Sequence, residues 1–319
     1  MFLTEQAITD RYISSLRDLR EIADAYYFQG RIDDAFHLWQ IAEPLLEGRE
    51  AQATQRVTFL LQYGRFLIHR YFLINRDGEL MHAVIQRAVQ GAQAIQDQSA
   101  IATGHSLVGQ SLYYHNLLTG GHDYTTARDE LEQSSALREQ IGDGYGLSES
   151  LFYTGLTLDR EGPNERTREY LQRALALAEQ HGNTWAASEA TRHLTDYTDG
   201  DERLRYAMRS LELREAIGFT VGLPSAQLLV SDIFIARGEF AQAQAYCQQA
   251  KQLAEALGLR MYLMFALFTQ GEIEHKLGQL AEAREHFEQG GVIAHELKFA
   301  RGITEADEKL ALLADGPTS

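Results

Sequence analysis

Three histidines, His105, His115 and His122, fall within one short stretch, and Asp123 stands beside the last. Imidazole nitrogens and a carboxylate are what a zinc ion would use. Their separations of ten and seven match no metal-site spacing, and the single cysteine, Cys247, offers no thiolate pair. His286 and His295 stand nine positions apart, about two and a half helical turns, and so face opposite sides. No metal and no cofactor are expected. A nucleophile is equally hard to find, because Cys247 sits in an apolar stripe where a thiol packs as a small hydrophobe. Glu272 and Glu274 are separated by about 200° on a helix and cannot flank one substrate. "GDGYG", Gly142 to Gly146, follows a helix end rather than a strand, which excludes a phosphate-cradling loop. The expectation is a non-enzymatic chain. An unusual catalytic cavity using Tyr113, Tyr114, His115 and Asp159 is the remaining enzymatic reading.

The whole-chain balance narrows the partners. With 45 acidic against 29 basic residues, the formal charge is −16, a surface that repels phosphate backbones. Nucleic acid is therefore not an expected partner. No stretch approaches the uninterrupted apolar length of a membrane span, and Glu5 and Asp10 interrupt any secretory leader. One cysteine permits no internal disulfide, in keeping with a reducing, cytoplasmic setting. Four prolines in 319 residues, with abundant Ala, Leu, Gln, Glu and Arg, favour helices.

What positions the polar residues is a repeat. "LREQIGDGYGL" at Leu137–Leu147 returns as "LREAIGFTVGL" at Leu213–Leu223. Glycines after similar helix ends fall at Gly142, Gly182, Gly218 and Gly258, spaced 40, 36 and 40. Phe240, Ala243, Cys247, Ala250, Ala254 and Leu257 form an amphipathic stripe, and the positions 40 later are all apolar or glycine. Ser231 and Gly238 mark a small contact position and a turn that recur as Gly271 and Gly278, and as Gly155 and Gly162. Each unit reads as helix, tight turn, helix, glycine stop. Ser134 and Ser210 take the register of Ala174 and Ala250, where small size permits close packing. Arg138 and Arg214 take the register that is Ala178, Ala254 and Ala294 elsewhere. Either their stems cross the next unit with the heads in water, or they form ion pairs between units.

"FTQGEIEHKLGQLAEAREHFEQG" (Phe268–Gly290), "SDIFIARGEFAQAQAYCQQA" (Ser231–Ala250) and "REIADAYYFQGRIDDAFHLWQIA" (Arg20–Ala42) carry a family pattern. They resemble tetratricopeptide (TPR) repeats in the roughly 40-residue form of bacterial regulatory proteins. The resemblance implies an all-α, right-handed superhelical solenoid of about seven helical hairpins. The expected units are 16–48, 55–97, 100–142, 146–182, 184–218, 222–258 and 261–299, in one domain. A capping helix is expected at 303–315, with Thr304 as its N-cap. An open array of this length predicts an elongated, curved particle. Units two, three and five depart from the period, through loop drift or because a shortened inner helix opens a pocket beside units three to five.

In such arrays the first helix of each pair lines the concave face. The resemblance thereby nominates Arg65 and His69 in unit two, and Gln110, Tyr113 and Tyr114 in unit three. It adds Glu149, Phe152 and Asp159 in unit four, Asp232 in unit six, and Phe268, Glu272 and His275 in unit seven. Mixed aromatic and charged residues suit a peptide or protein segment held in the groove, in a regulatory or scaffolding role. The alternative is a sensor of a small organic ligand or signalling peptide. "YLMFALF" (Tyr262–Phe268) is either inner-helix core or a homodimer patch.

Overall fold

The repeated glycines end helices because the chain must turn through a left-handed conformation there. Gly142 and Gly182 adopt φ of +73° and +72°, and the next helices begin at once under the side chains of Asp143 and Asn183. The computed structural model describes residues 4–47, 52–162 and 164–314. Gly48, closing the first expected unit, and the terminal "DGPTS" lie outside the described residues.

Among the described residues there are fifteen α-helices and no strand. The first three hairpins pair α1 (Glu5–Phe28) with α2 (Ile32–Ala42), α3 (Ala53–Ile74) with α4 (Gly78–Ala94), and α5 (Gln98–Thr119) with α6 (Thr125–Ile141). The next two pair α7 (Gly144–Asp159) with α8 (Glu165–His181), and α9 (Thr184–Leu194) with α10 (Gly200–Ala216). The last two pair α11 (Leu223–Ala236) with α12 (Phe240–Ala256), and α13 (Arg260–Lys276) with α14 (Leu280–Glu296), before a single closing helix, α15 (Ala300–Ala314). The architecture is an all-α solenoid of seven TPR-like hairpins and a terminal helix.

The stripe read from the sequence is the packing seam. Ala243, Cys247, Ala250 and Ala254 are fully buried, and so are their counterparts Ala174 and Ala178. At the small position, a Cβ on Gly271 would lie 3.1 Å from the carbonyl oxygen of Ala283. In the preceding unit the Ser231 hydroxyl donates to the equivalent carbonyl of Ala243 at 2.8 Å. Ser134 and Ser210 likewise donate across helices, to the carbonyls of Ala102 and Ser188. Tyr262 to Phe268 is inner-helix core: Met264, Ala266, Leu267 and Phe268 are buried.

Three expectations are corrected. Arg138 and Arg214 do not send their heads to water; they are 2% and 1% exposed. Arg214 binds Glu189 at 2.5 Å, together with the Gly222 carbonyl and the Ser225 hydroxyl, because a guanidinium denied water must find acceptors inside. Thr304 is not an N-cap. It lies within α15 and donates to the Ala300 carbonyl, since the chain reverses earlier, at Lys298 with φ +51°.

The third correction concerns shape. The array is not an open arc but closes on itself. Phe219, after α10, packs on Tyr27 and Phe28 of α1, with ring centroids 6.0 and 5.2 Å apart. The Leu257 side chain lies against Gly30, and Ala300 at the start of α15 lies against Gly120 at the end of α5. One apolar cluster runs from Leu16 to Leu313. Closure gives the terminal units partners that an open solenoid lacks.

Candidate functional site

Closure turns the concave face into an interior. Two chambers lie inside, of about 660 and 520 Å³. The first is lined by α1, α3 and the beginnings of α5, α7 and α9, and the second by the inner helices α3, α5, α7, α9, α11 and α13 together with α15; we call them the N-side and C-side chambers. Tyr27, His69 and Trp185 border both and form an aromatic septum. Tyr27 and His69 stack at 5.3 Å with 20° between planes, and Trp185 lies 6.0 Å beyond His69. Burial, and secondarily the Arg65 charge, push the His69 imidazole down to about 4, so the septum is neutral at pH 7.

The N-side chamber is organised by one carboxylate. Glu149, on the first turns of α7, is 2% exposed and meets Arg65 at 3.1 Å. The Gln110 amide donates to it at 3.1 Å and to Ser106 at 2.9 Å. Burial alone would raise the Glu149 carboxyl, but Arg65, Arg138 and Gln110 together hold it below the usual range. Gln110 is fully buried behind Glu149. It supports the chamber wall and does not face a groove.

The C-side chamber combines aromatic walls with both charge signs. Tyr113, Tyr114, Phe152 and Phe268 line it, and the Tyr114 and Tyr153 hydroxyls lie 3.4 Å apart behind the wall. Asp232 and Glu272 face it from α11 and α13. Thr269 donates to Asp232 at 3.3 Å, and Lys309 of α15 donates to Glu272 at 3.2 Å. Asp232 is exposed toward the chamber.

Of the nominated residues, Arg65, His69, Tyr113, Tyr114, Glu149, Phe152, Asp232, Phe268 and Glu272 thus border a chamber. Asp159 and His275 border neither. Asp159, the last residue of α7, accepts from the Tyr197 hydroxyl at 2.8 Å and from Arg160 at 3.2 Å. His275 lies near the end of α13, past Glu272. Sequence reasoning missed Tyr27, Trp185, Glu189, Arg192, His193 and Arg214. The fifth unit gave no nominations because α9 has only 11 residues before a 3₁₀ turn at Thr195–Tyr197. The spacing Trp185, Glu189, Arg192, His193 is nevertheless one helical face and was the available signal.

The remaining chemistry-bearing residues are committed elsewhere. His105 meets Glu130 at 2.7 Å, and the His115 ring meets the Tyr71 hydroxyl at 3.3 Å. Glu274 faces away from Glu272 and pairs with His286 at 2.7 Å. Burial raises the Cys247 thiol to about 12, and it donates to the Ala266 carbonyl. Among the described residues no group of three or more His, Cys, Asp or Glu is placed to hold a metal ion. No helix of those residues is long and apolar enough to cross a membrane.

No protein-family model matches the chain, and the curated proteins give no match. Solved structures do resemble it. A Rap protein complexed with competence and sporulation factor superposes with a TM-score of 0.65 at 16% identity, over 95% of this chain and 86% of that one. Aspartyl phosphate phosphatase F from Bacillus subtilis gives 0.52 at 13% identity, over 99% of this chain and 82% of that one. A signal transduction ATPase with a tetratricopeptide repeat sensor, from Pyrococcus horikoshii, gives 0.50 at 16%, over 85% of this chain and 45% of that one. At such identities the likeness carries the fold: this is a TPR-type helical repeat protein.

Proposed function

We propose that the chain is a non-enzymatic regulatory or scaffolding module that holds a short peptide segment inside its closed superhelix, with the C-side chamber as the seat. The observation that carries this reading is closure, which surrounds the aromatic walls of α5, α7 and α13 with charged groups of both signs. Aromatic surfaces offer area at low entropic cost, while enclosed charges select polar or charged ends. That a Rap protein of similar fold is complexed with competence and sporulation factor supports a binding role for this chain. Acid–base or nucleophilic machinery plays no part in the reading.

A second reading, a sensor for a small organic ligand, is favoured by the chamber volumes of about 520 and 660 Å³, which fall in the range of small-molecule sites. Thermal-shift screening of the full chain against a synthetic peptide library and a metabolite library separates the two. Stabilisation by peptides, reduced in Glu272→Gln, supports the module. Stabilisation by metabolites alone selects the sensor, and no response from either library removes both.

A further inference from the structure

The N-side chamber holds two opposite charges that face each other without meeting. Tyr27 of α1 and His69 of α3 stack at 5.3 Å, which sets the two inner helices level at the septum. As first members of successive hairpins, α1 and α3 run in the same direction. Asp24 precedes Tyr27 by about 4.5 Å along its helix, and Arg65 precedes His69 by about 6 Å, so each lies on the same helical face as its ring. Both border the N-side chamber and neither borders the C-side one. Arg65 acts electrostatically on Asp24, yet no ion pair joins them.

The other polar anchors of this chamber are committed. Glu149 spends one oxygen on Arg65 and the other on Gln110. Asp97 caps α5, accepting from the Ala100 amide. Asn183 is buried, donates to the Tyr145 carbonyl and the Ser148 hydroxyl, and caps α9. Arg65, by contrast, meets Glu149 through Nη1 alone and keeps the rest of its fork for the chamber. Asp24 is exposed and has no hydrogen bond or ion pair among the described residues. The cations acting on it are Arg20, one turn earlier on α1, and Arg65. The chamber thus leaves open an acceptor on α1 opposite donors on α3.

This pairing works against simple ions. A carboxylate drawn to Arg65 meets Asp24, and an ammonium drawn to Asp24 meets Arg65. A neutral group with an N–H beside a C=O satisfies both, donating to Asp24 and accepting from Arg65, and each bond is strengthened by the charge of its protein partner. The walls define the rest of the ligand. Phe28 and Phe66 stand edge-on to Tyr27, and Trp185 closes the septum side, so a flat ring finds aromatic surface around it. A volume of about 660 Å³ admits a fused ring system.

We propose that the N-side chamber is a binding site for a flat nitrogen heterocycle with a lactam edge, its N–H on Asp24 and its C=O on Arg65. Oxopurine and pteridine rings carry such an edge. The inference rests on the small-ligand reading above and is independent of the peptide seat in the C-side chamber.

The test uses three matched probes: oxindole, which has the whole edge; N-methyloxindole, which lacks the donor; and indole, which lacks the carbonyl. Each is titrated into the full chain by isothermal calorimetry. Oxindole is expected to bind about tenfold more tightly than either partial analogue, the scale of one hydrogen bond to a charged group. Asp24→Ala, at an exposed position that the fold does not need, is expected to erase the preference over N-methyloxindole and keep that over indole. Arg65→Lys, which keeps a charge beside Glu149 and loses the fork, is expected to narrow the preference over indole and keep that over N-methyloxindole. Equal binding of all three by the native chain overturns the lactam edge and leaves the small-ligand reading standing. A preference over N-methyloxindole that survives Asp24→Ala unchanged overturns the placement in this chamber. Binding of none of the three, while metabolites still stabilise the chain, overturns this inference alone; with no metabolite response, the small-ligand reading falls with it.

Discussion

The side-chain amide of Asn75 donates to the carbonyl oxygen of Leu297 at 2.6 Å, joining the second hairpin to the end of the seventh across 222 positions. Leu297 follows the last turn of α14, where carbonyls lack helical partners, so the bond satisfies a group the helix cannot. Asn75 also ends α3 in a left-handed conformation, φ +48°.

Its two roles separate by substitution. Asn75→Ala loses the bond and strains the left-handed turn, whereas Asn75→Gly loses only the bond. Urea denaturation is expected to show Asn75→Gly destabilised by about 1 kcal/mol and Asn75→Ala by more. Small-angle scattering of the native chain is expected to give a radius of gyration near 20 Å, the scaling value for a folded chain of this length. A value characteristic of an extended arc would contradict closure.

Acid should loosen the septum. The folded chain holds His69 neutral down to about pH 4, against an ordinary value of 6.5, so the unfolded chain takes up the proton first. Stability from this group is complete above pH 6.5 and falls as the pH drops from 6.5 to 4. Arg65 opposes protonation, while Glu149 and Glu189 favour it. The loss is at most about 3 kcal/mol. His69→Phe, which keeps a ring against Tyr27, is expected to flatten that interval relative to the native chain in denaturation at pH 7 and pH 4.5. Parallel pH profiles for the two proteins would refute it.

Glu149 is expected to be the most sensitive residue of the N-side chamber. Its removal leaves the buried Arg138 with Asp143 as its one carboxylate neighbour, frees Arg65 and strips Gln110 of an acceptor. Glu149→Ala should cost about 1–3 kcal/mol by chemical denaturation, because Gln110 loses a buried acceptor while Arg65, 37% exposed, can turn to water. Glu149→Gln, which keeps the shape and one acceptor, should cost less. Equal costs would mean the acceptor is not what matters there.

The small positions tolerate no added carbon. On Gly109 a Cβ would lie 2.8 Å from the Ala127 carbonyl and 2.6 Å from Leu131; on Gly271 it would lie 2.5 Å from the Phe287 ring. Gly109→Ala and Gly271→Ala are each expected to lower stability by about 1–3 kcal/mol, despite alanine's higher helix propensity. Thermal unfolding measures this, and a raised midpoint in either variant would show that the helices can separate freely.

The sequence determined the hairpins, since the signals are local. A glycine is wanted where the chain must pass through positive φ, as at Gly142 and Gly182, and a stripe such as Ala243, Cys247 and Ala250 identifies its buried face by rotation alone. The register that identifies that face also carries Arg65, Tyr113, Glu149 and Asp232 to the inner one. It does not say how deep each lies, so Gln110 went behind a carboxylate and Asp159 and His275 fell outside the chambers. Closure was left to the tertiary structure. Small rotations between successive hairpins add up over seven units, and only their sum brings Phe219 onto Tyr27 and Asn75 to Leu297. Arg192, Arg214 and Trp185 gained their place in the interior from that sum. Enclosure comes from the whole circuit, so no single repeat can encode it.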